Sequence, residues 1–195
     1  MWSETVSILT GAALIIAGMF AVGAIARTRL QQGQQEAGGA DPSDIPGVLA
    51  PPPLIFVGFL ATAAVLETLL PLPSLSPAPA VRYVVGVVLA ALGIALIMAG
   101  ARRFIAAGTN LPPMLPTTAL VTDGPYRWSR NPLYLAMLTI YLGIAIAAGS
   151  LWGLVLVVPL FGLISATVIA REERYLERKF GAVYRQYRSR VRRWL

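Results

Sequence analysis

Five long apolar runs constrain the fold of this 195-residue chain more than any other feature. They cover residues 6–26, 54–70, 84–101, 132–148 and 151–170. A bilayer core about 30 Å thick needs roughly 17–25 helical residues, so each run is long enough to cross it. One such run also fits a buried soluble helix, but five in a short chain favour a membrane protein. We therefore predict an all-α integral-membrane helical bundle of about five transmembrane helices, forming one domain over residues 1–195.

The positive charges test this number of spans and orient it. Charged residues make up only 13% of the chain, too few to cover a soluble globule. If the N-terminus lies outside, all 16 Lys and Arg except Arg82 fall in the inside segments 27–53, 102–131 and 171–195. The positive-inside rule thus predicts an N-out, C-in topology with a cytoplasmic C-terminal helical segment. The net charge of +7 therefore reflects topology and does not indicate a nucleic-acid partner.

The first run is interpreted as a span rather than a cleaved signal peptide. The residues before it include the acidic Glu4 but no Lys or Arg, whereas a signal peptide begins with positive charge. The Arg-rich, Lys-poor and Ala-rich composition favours a bacterial inner membrane. Small residues recur four apart and either let helices approach closely or simply reflect the abundance of alanine. They are Ala13/Ala17/Ala21, Ala91/Ala95/Ala99 and Gly143/Ala147.

Two residues within the runs require an explanation. Glu67 lies near the outer end of the second span, and we interpret it as a surface acid because the sequence offers it no partner. The alternative is a functional acid inside the membrane. Pro159 predicts either a kink in the fifth span or an unpaired carbonyl that a neighbour satisfies, since proline removes a helical hydrogen bond. Only Gly149 and Ser150 separate the fourth and fifth spans, which predicts a tight antiparallel hairpin.

Missing residue types narrow the possible chemistry. The chain has no Cys and no His, which excludes disulfides, thiolate metal sites and every mechanism that depends on imidazole. No metal site is expected. Neither a GxGxxG nor a GxxxxGK motif is present, so the common nucleotide-binding loops are absent.

The inside segment 102–131 is longer and more apolar than a connection needs, so we predict that it folds against the bundle. Asn131 and Pro132 then predict the capped start of the fourth span. The free amides and the dipole at that helix start favour an anion such as a carboxylate, and Arg127 and Arg130 strengthen the positive potential. Helix capping and membrane anchoring alone would explain the same residues.

The segment after the fifth span predicts a helix that continues to Phe180, with Gly181 as a stop or break. Glu172 falls on the apolar stripe of this helix and needs a buried partner. Glu173 faces Glu177 one turn later, so it too gains from a partner elsewhere. A basic tail bound to anionic lipid would explain the arginines but not Glu172.

These two segments resemble the isoprenylcysteine carboxyl methyltransferase and phospholipid methyltransferase family, small integral-membrane enzymes that use S-adenosylmethionine. The methyltransferase-like region is residues 117–195. The resemblance rests on Thr118-Ala119-Leu120-Val121, Gly124-Pro125-Tyr126, Arg130-Asn131-Pro132-Leu133-Tyr134, Glu172-Glu173, Leu176, Phe180-Gly181, Tyr184, Tyr187 and Val191.

The resemblance implies transfer of a methyl group from S-adenosylmethionine to a lipophilic, lipid or isoprenoid-like acceptor, by carboxylate O-methylation or lipid amine N-methylation. It implies cofactor binding by Thr118, Ala119, Leu120, Val121, Tyr126, Asn131, Pro132, Leu133, Tyr134 and Glu172, and catalytic roles for Arg171, Glu173 and Asn131. The helix start suits the methionyl carboxylate, and the two tyrosine rings suit the sulfonium by cation–π attraction.

The chain departs from the family pattern at two positions. Asn131 stands where the family usually has His, and Val168 stands where prenylcysteine enzymes carry a substrate-binding Arg, with Arg171 as the nearest substitute. These departures leave the acceptor open. Two other classes remain possible: a relative of the NADPH-dependent membrane sterol reductases, and a non-enzymatic membrane adaptor.

Overall fold

The computed structural model describes residues 3–11, 13–14, 46, 51–75, 78–111 and 115–195. Residues 3–11 and 13–14 are helical, and within the described part of the chain no β-strand forms. The remaining elements are α1 (Pro52–Leu69), α2 (Pro79–Ala106), a 3₁₀ turn (Gly124–Arg127), α3 (Pro132–Ala148), α4 (Leu151–Val155), α5 (Val157–Leu163), a π-helical segment (Ile164–Ile169) and α6 (Ala170–Arg190).

Among the described residues, three helical stretches are long and apolar enough to cross a membrane: Pro52–Leu69, Pro79–Ala106 and the stack of consecutive helices Leu151–Arg190. The apolar helix α3 is somewhat shorter. This architecture confirms the predicted membrane helical bundle. The predicted spans after the first correspond to α1, α2, α3 and the stack from α4 to the π-helical segment. The first predicted span, 6–26, lies largely outside the described residues.

Close packing of α2 against α3 depends on three buried glycines that are seven residues apart. Seven residues are nearly two helical turns, so Gly86, Gly93 and Gly100 share one face of α2. A Cβ added to Gly86 would lie 2.6 Å from the carbonyl oxygen of Gly143. A Cβ added to Gly93 would lie 2.5 Å from Cγ1 of Ile140. The two helix backbones therefore approach in the way that small residues allow in lipid.

This glycine face corrects part of the predicted small-residue pattern. Ala91 and Ala95 are exposed on α2, so that alanine series does not mediate the contact. Gly143 and Ala147 do, since both lie against Gly86. The series Ala13/Ala17/Ala21 lies mostly outside the described residues. Alanine tolerates the lipid face of a helix, whereas the missing side chain of glycine is what permits the closest approach.

Glu67 is buried, with 4% of its surface exposed, and the interpretation as a surface acid is wrong. Its Oε1 accepts a hydrogen bond of 2.6 Å from the Ser150 hydroxyl. The same hydroxyl accepts a 2.9 Å hydrogen bond from the Gly153 N–H and so caps α4. The partner lies 83 positions away in the sequence, which is why local reasoning does not find it.

Several polar contacts gather at this hairpin end of the bundle. The Thr5 hydroxyl donates to the Ala148 carbonyl at 3.0 Å, and Arg82 Nη1 donates to the Ser74 hydroxyl at 2.5 Å. Gly149 closes the turn with a left-handed φ of 67°. The opposite end of the bundle holds the end of α2 and the start of α3, so the described helices alternate in direction as predicted.

The stack from α4 to α6 is interrupted three times. Leu156 separates α4 from α5, three residues before Pro159, as the proline predicts. The π-helical segment that follows is not indicated by the sequence. Gly181 has φ 51° and ψ −121°, which confirms a break there, but helical structure resumes and continues to Arg190.

Candidate active site

The described residues of the connection between α2 and α3, 107–111 and 115–131, are folded, as the length and apolar content of this segment predict. The Thr109 hydroxyl accepts a 2.8 Å hydrogen bond from the Thr118 N–H, and the Asn110 amide donates to the Pro116 carbonyl at 2.8 Å. The Tyr175 hydroxyl on α6 accepts from the Thr117 N–H at 3.0 Å. The first two contacts fold the connection on itself, and the third holds it against α6. Arg103 of α2 also pairs with Asp123 at 2.9 Å, which joins the connection to α2.

Asn131 occupies the position before α3, with Pro132 first in the helix, but the predicted side-chain cap is absent. The Asn131 amide instead donates to the Arg193 carbonyl at 3.0 Å. Its own N–H donates to the Ser129 hydroxyl at 3.1 Å. Because none of the described side chains caps the helix, the first amides of α3 remain available for a ligand.

Glu172 and Tyr134 connect α6 with the first turn of α3. The Tyr134 hydroxyl donates a hydrogen bond to Glu172 Oε1. Glu172 lies beyond the fifth predicted span, and burial raises the pKa of its carboxyl to about 7. The hydrogen bond from Tyr134 opposes this rise in the pKa, and the nearby charge of Glu173 adds to it. The carboxylate therefore gains from additional donors.

Glu173, in contrast, is already paired with two guanidinium groups. It is 7% exposed, and its Oε1 lies 3.1 Å from Arg130 Nη1. Arg193 donates to both carboxylate oxygens, at 3.2 Å from Nε and 2.5 Å from Nη2. Both oxygens of this carboxylate therefore already have hydrogen-bond donors from the protein.

Tyr126 lies on the 3₁₀ turn and is 6% exposed. Its ring centroid is 5.5 Å from that of Phe104, and its carbonyl accepts a 2.7 Å hydrogen bond from the Tyr187 hydroxyl. The Tyr126 hydroxyl has no hydrogen-bond partner among the described residues. Burial, followed by the proximity of Tyr187 and Glu172, raises the pKa of this phenol, so it stays protonated at neutral pH.

These groups line one cavity of about 630 Å³. At one end it is polar, and it then extends along α3 between apolar side chains of α1 and α2. Of the residues predicted for the site, it is lined by Ala119, Leu120, Val121, Tyr126, Asn131, Pro132, Leu133, Tyr134, Glu172 and Glu173. Thr118 and Arg171 do not line it.

The remaining predicted positions have other surroundings. The Thr118 hydroxyl donates to the Gly108 carbonyl at 3.1 Å and is exposed. Val168, at the position of the missing family arginine, is 1% exposed and packs in the apolar core. A valine there fills the bundle and offers no charge to an acceptor.

Three groups near the site have no predicted role, although two of them, Tyr184 and Tyr187, are among the residues that carry the family resemblance. Tyr184 and Tyr187 line the cavity from α6, and their spacing of three is a usable signal for a shared helix face. Arg193 pairs with Glu173 from beyond α6, and no sequence pattern indicates that contact.

Comparison with known proteins places this geometry in context. The family model described as phospholipid methyltransferase matches residues 81–183, slightly more than half of the chain, from early in α2 to within α6. An uncharacterized protein of Haemophilus influenzae is 43% identical over 63 residues, which are 32% of this chain and all of that protein. No solved structure matches the chain.

Proposed function

The chain belongs to the phospholipid methyltransferase family, and from that premise we propose that it transfers the methyl group of S-adenosylmethionine to a lipophilic acceptor. Family membership supports a membrane methyltransferase-type function. The cofactor, the acceptor and the roles of individual residues are our proposal, and they rest on the cavity.

The continuity of the cavity is the observation that carries the proposal. Its polar end contains Glu172 and Tyr134, and its apolar part is lined by Met98, Met137 and Ile144. Along α3, ten residues separate Tyr134 from Ile144, which is about 15 Å at 1.5 Å per residue. One cavity thus offers polar contacts for a cofactor and apolar contacts for a hydrocarbon chain, side by side.

The polar end fits S-adenosylmethionine. The uncapped amides of Leu133 and Tyr134 suit the methionyl carboxylate, as a helix N-terminus favours an anion. Glu172 suits the amino or hydroxyl groups, because a half-buried carboxylate gains from donors. The rings of Tyr126 and Tyr134 suit the sulfonium by cation–π attraction. The Tyr126 hydroxyl, for which the described part of the chain offers no hydrogen-bond partner, also fits a polar ligand.

When bound, the cofactor would supply a methyl group: the methyl carbon would form a bond to an acceptor oxygen or nitrogen as its bond to the sulfonium sulfur breaks, and the neutral thioether would leave. The protein contributes by positioning the reactants and excluding water. Both oxygens of Glu173 are engaged by Arg130 and Arg193, so its contacts do not support the catalytic role that the resemblance implies for it. An amine acceptor would need a base, and Glu172, whose carboxyl pKa is raised by burial to about 7, is the candidate in the cavity. A carboxylate acceptor would lose no proton. The guanidinium of Arg130, whose Nε has no hydrogen-bond partner in the described part of the chain, suits such an anion.

We place this polar end on the cytoplasmic side of a bacterial inner membrane. The proposal rests on the positive charges, since all Lys and Arg except Arg82 fall on that side of an N-out, C-in chain.

Methyl transfer is tested by incubating the purified protein in lipid nanodiscs with methyl-labelled S-adenosylmethionine and a membrane lipid extract. We expect label in a lipid product with the wild type and much less with Glu172→Ala. Binding of NADPH in place of S-adenosylmethionine would support the reductase alternative. The absence of label from every lipid and small hydrophobic acceptor would overturn the enzymatic proposal.

A further inference from the structure

Residues 191–195 follow α6 and cross the start of α3, and we call this segment the strap. The Arg130 N–H donates to the Arg192 carbonyl at 2.9 Å. The Arg193 carbonyl accepts from the Asn131 amide at 3.0 Å and from the Ser129 hydroxyl at 3.3 Å. Three consecutive residues before α3 are therefore held by the backbone of the strap.

Two side chains of the strap anchor it at other points. Arg193 forms the two hydrogen bonds to Glu173 on α6 described above. The Trp194 ring centroid lies 4.7 Å from that of Phe161 on α5. The strap thus ties the entrance of α3 to both α5 and α6, although Arg193 itself does not line the cavity.

The two adjacent acids on α6 have different partners, and through one of them the strap is connected to the site. Glu172 and Glu173 both line the cavity, but Glu172 bonds to Tyr134, whereas Glu173 pairs with Arg130 and with Arg193, which lies outside the lining. Both contacts fix α6 against the start of α3. Removal of the Arg193 guanidinium would leave the buried Glu173 with Arg130 as its remaining ion-pair partner among the described residues. An under-paired buried charge is unfavourable, so this contact would rearrange.

We propose that Arg193 is a positioning residue: through Glu173 and the strap it holds residues 129–131 so that the first turn of α3 and Glu172 face the cofactor together. The functional half of this inference rests on the proposed methyl transfer. In this arrangement Asn131 serves to anchor the strap, which gives a physical role to the residue that replaces the family histidine.

The test compares Arg193→Ala with Arg190→Ala in lipid nanodiscs. Arg190 is exposed at the end of α6, and its replacement by Ala removes the same charge three residues earlier in the chain. Hydrogen exchange over residues 129–134 reports the position of the loop without any ligand, and equilibrium binding of labelled S-adenosylmethionine reports the site. For Arg193→Ala we expect roughly tenfold faster exchange and roughly tenfold weaker binding, from the loss of a charged hydrogen bond. Arg190→Ala should match the wild type in both.

A third variant, Glu173→Gln with Arg193→Ala, separates positioning from general destabilisation. It removes the under-paired charge, so we expect it to recover part of the lost affinity. Unchanged exchange in Arg193→Ala, or faster exchange with unchanged binding, would overturn the inference. If the wild type itself does not bind the cofactor, the proposed function fails, and exchange over 129–134 still decides whether Arg193 holds the loop.

Discussion

The Tyr134 hydroxyl donates a hydrogen bond to Glu172 Oε1, and this contact joins residues that are 38 positions apart. Tyr134 belongs to the first turn of α3, and Glu172 belongs to the first turn of α6. In the sequence, the rest of α3, the turn at Gly149 and Ser150, and the whole fifth span lie between the two residues. The polar end of the cavity therefore exists only when both ends of this hairpin region are packed together.

Replacement of Glu172 by Gln should weaken the binding of S-adenosylmethionine by about 10–100-fold, the loss expected for one charged hydrogen bond. Equilibrium binding of the labelled cofactor measures it. Glu177→Gln is the matched control, since Glu177 lies on the same helix but does not line the cavity. Its Oε2 pairs with Arg188 Nη1 at 3.0 Å. Equal affinities in the two variants would contradict the assignment of Glu172.

Cofactor affinity should rise between pH 6 and pH 8. Burial raises the pKa of the Glu172 carboxyl to about 7, so the carboxylate that accepts hydrogen bonds is the minor form at pH 6 and the major form at pH 8. Titration of the cofactor itself affects every variant equally. A Glu172→Gln profile with the same slope as the wild type would show that another group causes the dependence.

Replacement of Gly86 by Ala should destabilise the bundle by about 1–3 kcal/mol, the usual effect of overpacking. The new Cβ would lie 2.6 Å from the Gly143 carbonyl oxygen, a backbone atom that cannot yield without moving α3. Gly58→Ala is the control, because nothing lies within 4 Å of a Cβ at Gly58. Thermal unfolding in one detergent measures both. Equal midpoints would show that α2 and α3 pack less closely.

Replacement of Ser150 by Ala should destabilise the protein by about 1–3 kcal/mol, because the buried Glu67 loses its hydrogen-bond donor. Combining it with Glu67→Leu should recover part of the loss, since the unpaired carboxyl is then removed and only the Gly153 N–H lacks its capping partner. Cofactor affinity should not change at temperatures where the variants are folded, because this contact lies at the end of the bundle opposite Glu172. Reduced affinity in the folded variant would contradict that separation.

An alkaline phosphatase reporter, active only outside the cytoplasm, should be silent when fused after Leu195 and active when inserted at residues 71–75. The positive-inside rule predicts this pattern. Strong activity of the fusion after Leu195 would overturn the N-out, C-in topology and the cytoplasmic placement of the site.

The amino-acid sequence by itself determined the membrane bundle, because long apolar segments satisfy their backbone hydrogen bonds in lipid only as helices or closed barrels. It also located the two segments that line the polar end of the cavity, because both carry local signals. Asn131-Pro132 indicates the start of a helix, and Glu172 is an acid on the apolar stripe of its helix. It predicted the breaks at Pro159 and Gly181 for the same local reason.

Only the tertiary structure decided which groups are partners. Glu67 with Ser150, Glu172 with Tyr134 and Glu173 with Arg193 are pairs between different elements. A buried charge signals that it needs a partner, but the choice among distant donors depends on how the helices pack. The glycine face of α2 and the strap across α3 follow from that packing, and they set the geometry of the candidate site.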